Sequence, residues 1–220
     1  MGLVNELQES AERDDVATVL RRAVRLSSKL GRNDITSWLE AEQSGYGDAA
    51  PQPEYRVVGT SLYYSTNGYV PAGFGRLRNG SYPLPGILDG QQHFVGASIG
   101  TVCSWIENIK NGGGSVSHPL DKSLSNDLRK LLVNATNLPE YLPQLSFQLV
   151  FNSAQILDIP EQVKNRVLKW ACELEAAGVT GDGATFSNAE KRLAESVTIN
   201  ISHSTVEQLT SSGINLKATK

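Results

Sequence analysis

The chain has 220 residues, 40% of them hydrophobic, with 20 Lys and Arg against 23 Asp and Glu and a formal charge of −3. That length supports one domain, or one domain with an appendage, around a real core, and the composition excludes wholesale disorder. The slight acidic excess supplies no basic field to gather phosphates, so nucleic acid is not the expected partner, and no apolar run approaches the ~18–20 residues of a membrane span.

Residues 3–13 predict a short amphipathic helix. A stronger helix follows, with Asp15 as N-cap, Val16, Val19, Leu20, Ala23, Ser27 and Leu30 on one face, and Gly31 where a C′ glycine belongs. A third is expected from Asn33 or Asp34, burying Ile35, Trp38 and Leu39 and stopping before the Ser44–Asp48 segment. The character then changes. Residues 54–71 are rich in β-branched and aromatic side chains and contain Asn67-Gly68, a favoured hairpin turn, which predicts a strand near 55–65 and a shorter one after Gly68. Residues 71–97 carry too many glycines and prolines for a long regular element.

A helix returns at about 97–110 and ends at the glycine run that begins at Gly112. Residues 123–132 predict another helix, and Leu145–Phe151 alternates as a strand. Pro160 suits a first helical turn, after which Val163, Val167, Trp170, Ala171, Leu174 and Ala177 form a continuous stripe that Gly178 closes. A helix over 188–196 and an alternating strand over 196–202 complete the regular structure, and the last residues show no periodicity. The expected class is α+β: an N-terminal helical bundle, a small antiparallel sheet and a long C-terminal core helix. Residues 1–195 form the expected domain, and 196–220 a terminal strand and flexible tail.

Motifs for chemistry are sparse. His93, His118 and His203 stand far apart in sequence, without ligand spacing, and the first two read as loop residues; no metal site or cofactor is expected. Cys103 and Cys172 fall in apolar helical patterns and read as packing residues of a reducing compartment. The amino terminus has neither a basic n-region nor an apolar h-region, so a cytoplasmic protein is expected. No nucleophile elbow and no P-loop lysine occurs, and no catalytic residue is assigned. Arg76, Arg78 and Tyr82 combine cations with an aromatic ring, as a binding surface would. Tyr46 and Arg166 complete the candidate binding residues. Arg166 stands one residue before the buried position Val167, so it either points to solvent or anchors a polar site.

An order of segments adds to this reading: the run Leu20–Gly31, then Trp38–Asp48, Pro53–Thr60, Leu77–Pro85, Ser98–Ile109 and Val163–Gly178. In that order, and over roughly residues 3–200, the chain resembles the AbiTii family, a domain of bacterial abortive-infection and related phage-defence proteins. The most specific segment is the last, where Val163, Lys164, Asn165, Arg166, Val167 and Leu168 lead into Leu174 and Glu175. Pro160 departs from the pattern, since family members continue there as helix. The resemblance implies a biological setting and no catalytic residues. Two functions are expected from it: foremost a non-enzymatic sensor or regulatory module that works through a protein partner or a homo-oligomer and recognises a phage-derived or host signal. The alternative is a toxic effector enzyme acting on nucleotides or nucleic acid.

Overall fold

The computed structural model describes residues 2–47, 51–66, 81–83, 91–136 and 145–199. They form two compact units. Of the described residues, the first takes 2–47, 51–57, 95–112 and 154–199, and the second 58–66, 81–83, 91–94, 113–136 and 145–153. The class is α+β, as the sequence predicts.

The first unit opens with α1 (Leu3–Arg13), α2 (Val16–Leu30) and α3 (Asn33–Ser44), each packed on the next. Asp15 caps α2 through the Thr18 N–H at 3.0 Å, and Gly31 takes φ 77°, a left-handed turn that lets the Arg32 N–H reach the Ser27 carbonyl. Arg32 is buried: it pairs with Asp34 through Nη2 and donates from Nη1 to the carbonyls of Ala194 and Val197. The helices α4 (Ile99–Lys110), α6 (Ser153–Ala176) and α7 (Asn188–Glu195) complete the unit.

Helix α6 corrects the expected start at Pro160, because it begins seven residues earlier, at Ser153, and carries the proline inside. Proline at an interior position costs about 3 kcal/mol and leaves the Ile156 carbonyl without its helical donor. Ile156, Ile159 and Val163 are each fully buried around it, and each large apolar side chain contributes roughly 1.5–3 kcal/mol. Packing outweighs propensity here. The cysteines also depart from expectation: Cys172 is exposed, turned off the Ala171 side of α6, and Cys103 is half-buried, its thiol pushed up by burial and by Glu107.

The segment predicted as a terminal strand is not one over its described part. Ser196 to Ile199 carry no ladder, because the Ser196 and Val197 N–H groups turn back onto the Leu193 and Ala194 carbonyls, and Arg32 takes up the Ala194 and Val197 carbonyls. The remainder of that stretch, the tail and Asn67-Gly68 lie outside the described residues.

In the second unit, β1 (Val57–Thr66) pairs antiparallel with β5 (Leu145–Phe151) from Thr60↔Phe151 to Thr66↔Leu145. On its other side β1 pairs with β2 (Ser81–Pro83), and β5 pairs with β4 (Ser117–Pro119). A further short strand, β3 (Gln92–Phe94), also pairs with β1. Leu124 and Leu128, one turn apart on α5 (Lys122–Thr136), close a core with Leu62, Phe147 and Leu149. His93 and His118 are therefore strand residues and not loop residues, on β3 and β4, with ring centroids 6.1 Å apart. Burial, then the neighbouring His118, holds the His93 imidazole below its ordinary range.

Glu190 ties the start of α7 to the start of α1. Its carboxylate accepts from the N–H groups of Thr180 at 3.0 Å, Gly181 at 2.9 Å and Ser187 at 2.8 Å, while Ser187 Oγ caps the helix in return. The Gly181 and Thr180 carbonyls in turn accept from the Leu3 and Val4 N–H groups. Gly181, at φ 67°, has no room for a side chain, since a Cβ would stand 2.6 Å from the Phe186 ring. The backbone N–H groups of Gly181 and Ser187 hold the Glu190 carboxyl down to about 2. A depressed acid stabilises the fold above its unfolded value, near 4.3, and that contribution fades as the pH falls through the folded value. Glu190→Gln is therefore expected to cost about 1 kcal/mol at pH 6. The deficit should shrink towards zero near pH 2 when thermal unfolding of the two proteins is compared.

Candidate functional site

The apolar face of α3 reads Ile35, Trp38, Leu39 and, one turn on, Glu42. The helical period that buries the first three buries the glutamate as well, and its side chain is fully enclosed. An ionised carboxylate in such a place must be paired and hydrogen-bonded. Its partner arrives on the short 3₁₀ turn Glu54–Arg56, which leads directly into β1. Alternation along that extended segment puts Arg56 on the same buried side as Val58, Thr60 and Leu62.

Arg56 meets Glu42 side-on, Nε donating to Oε1 at 3.0 Å and Nη2 to Oε2. Its remaining nitrogen, Nη1, donates to the carbonyls of Val95 at 2.9 Å and Ala97 at 2.6 Å. Two phenols finish the shell: Tyr46 and Tyr55 both donate to Glu42 Oε1, and Tyr55 Oη accepts from Trp38 Nε1 at 2.9 Å. Burial, reinforced by the Glu42 carboxylate, pushes both phenols well above the ordinary tyrosine range. Burial pulls the Arg56 guanidinium down, but Glu42 outweighs it and the net shift is upward. These donors, Tyr46, Tyr55 and Arg56, keep their protons near neutrality. The cluster joins α3, the 3₁₀ turn and the 95–97 segment; it offers no group poised to exchange a proton with substrate.

An open groove lies beside this closed cluster. One wall is Glu54, Tyr55 and Val57; the other is α6, through Gln155, Asp158, Gln162 and Arg166, and together they line about 340 Å³. The Arg166 guanidinium stacks over the Tyr55 ring, 4.1 Å from its centroid, and donates from Nη1 to Gln162 Oε1 at 2.8 Å. Tyr55 therefore serves both places: its hydroxyl belongs to the closed cluster and its ring to the groove.

The structure brings two of the candidate residues to this region. Tyr46 joins the cluster through its hydroxyl and lies under the Arg56 guanidinium, whose carbon is 5.1 Å from the ring centroid. Arg166 lines the groove, its guanidinium over the Tyr55 ring. Arg76 and Arg78 lie outside the described residues, and Tyr82 is placed by its backbone alone, opposite Tyr64 in the sheet. Sequence reasoning missed Glu42, Tyr55 and Arg56. Their signal was present, a charge falling on the apolar period of α3 and another on the buried alternation entering β1. Among the described residues no group of three or more His, Cys, Asp or Glu is placed to hold a metal ion, and no helix is long and apolar enough to cross a membrane.

Comparison with known proteins adds one finding. A family model described as AbiTii matches residues 2–199. No curated protein and no solved structure matches the chain.

Proposed function

The chain belongs to the AbiTii family, and with it to bacterial abortive infection and phage defence, and from that premise we propose a non-enzymatic sensor or regulatory interaction module. It recognises its signal through protein contacts, made to a partner or to a second copy, and the groove at Arg166 is where recognition occurs.

The observation that carries this reading is the contrast between two arginines. Arg56 is fully enclosed and spends its donors on Glu42 and two carbonyls. Arg166 is held by an aromatic ring and a glutamine, makes no ion pair among the described residues, and lines an open groove. The first is a structural clamp. The second is what a recognition surface needs: a preorganised cation whose partner is not built into the fold.

A plaque assay tests it. Cells carrying the intact gene are expected to resist phage, and Arg166→Ala, at unchanged protein level, is expected to lose that resistance; Arg76→Ala and Arg78→Ala are assayed separately. Full protection by Arg166→Ala would remove the groove from the function. Degradation of nucleotides or RNA by the purified protein, lost in the same variant, would replace the module with an effector enzyme.

A further inference from the structure

The groove wall on α6 is a hydrogen-bonded ladder. Gln155, Asp158, Gln162 and Arg166 recur every three or four residues and so share one face of the helix. Gln162 is the rung between the two charges, its Nε2 donating to Asp158 Oδ2 at 2.8 Å while its Oε1 accepts from Arg166 at 2.8 Å. The ladder therefore presents a negative and a positive group held by one amide, so that Asp158 Oδ2 and Arg166 Nη1 lie no more than about 8 Å apart. Glu54, on the opposite wall, adds a second carboxylate.

This charge pattern selects among ligands. Two carboxylates against one guanidinium repel a phosphate chain or a nucleic-acid backbone, whose charges are all of one sign. The volume falls at the lower end of the ~300–1,000 Å³ typical of ligand sites, but the lining is mostly polar, unlike a pocket for an apolar molecule. A peptide in extended form, rising about 3.3 Å per residue with alternate side chains on one face, sets residues two positions apart near the spacing of the two groups.

We propose that this groove binds an extended segment of a partner protein carrying an acidic and a basic residue two positions apart. The acidic carboxylate meets Arg166, and the basic group meets Asp158 and Glu54. This deepens the interaction-module reading and rests on it for biological meaning; the binding itself is tested on purified protein, without phage.

The probes are blocked peptides of the form Asp-Ser-Lys and Lys-Ser-Asp, with serine replacing either charged residue as controls, beside inorganic phosphate and a short oligothymidylate. Arg166 Nε is buried and has no acceptor among the described residues, and burial shields its proton from exchange with solvent and makes its ¹H–¹⁵N resonance a local reporter. One of the two doubly charged peptides is expected to shift that resonance to saturation. Removing either peptide charge should weaken binding about tenfold or more, and so should Arg166→Gln, which lacks the reporter and is titrated by calorimetry beside the parent. Asp158→Asn, at an exposed position, should weaken the doubly charged peptide and leave the lysine-free control unchanged, a coupling that a merely structural role would not produce. Tighter binding of phosphate or oligothymidylate would overturn the proposal in favour of an anion site, and equal binding of all peptides, or no shift at millimolar concentration, would end it. Peptide binding without phage protection would leave the groove standing and count against the defence role; protection that depends on Arg166, without peptide binding, would do the reverse.

Discussion

Glu42→Gln is expected to lower the unfolding free energy by about 3–5 kcal/mol, because it leaves Arg56 enclosed without its counter-charge. The substitution keeps the shape, so packing is not what fails. It turns an acceptor-only group into one that also points an N–H₂ at Tyr46, Tyr55 and Arg56, which are all donors. Arg56→Met should cost at least as much, since it strands both the Glu42 carboxylate and the carbonyls of Val95 and Ala97. The informative protein is the double variant Glu42→Leu with Arg56→Met. Removing both charges together eliminates the unpaired ion, and that part of the loss should return, while the Tyr46 and Tyr55 hydroxyls and the Val95 and Ala97 carbonyls still lack these partners. Urea titration with an unchanged m-value measures all three. A loss below about 1 kcal/mol in Glu42→Gln would show that water reaches the pair and that the clamp is not closed.

How far this site was legible follows from which part of it is local. The inward direction of Glu42 lies in the spacing Ile35, Trp38, Leu39, Glu42, and that of Arg56 in its alternation with Val58 and Leu62. Neither pattern says that the two charges meet. Pairing across separate segments is set by how α3, the 3₁₀ turn and the 95–97 segment pack, and that carries no short-range signature. The Gly178 end of α6 was legible because a left-handed glycine is a local stop. Its beginning was not, because the burial of Ile156 and Ile159 overrode Pro160. The strands β3 and β4 span three residues each, too short for alternation to register, and with them went the approach of His93 to His118.

The stripe on α6 yields the second large effect. Trp170 is fully buried, between Val163 and Val167 on one side and Ala171 and Leu174 on the other, all of them at 0% exposure. Trp170→Ala should cost about 3–5 kcal/mol, the transfer free energy of the indole plus the cavity it leaves. Trp170→Phe separates two terms that alanine confounds. The indole Nε1–H is buried and has no acceptor among the described residues, a burden of about 1–3 kcal/mol that phenylalanine lifts while giving up only part of the volume. The phenylalanine protein should therefore lie within about 1.5 kcal/mol of the parent in urea unfolding. A phenylalanine loss as large as that of alanine would mean that Nε1 has a partner, a buried water being the simplest. Arg166 stands four residues before Trp170, about 40° away around the same helix and at the edge of the buried stripe. Because the ladder of Asp158, Gln162 and Arg166 is held by its own hydrogen bonds and by the Tyr55 ring, Trp170→Phe should keep full peptide binding. The buried face of α6 would then set how stable the helix is, and the adjoining face what it recognises.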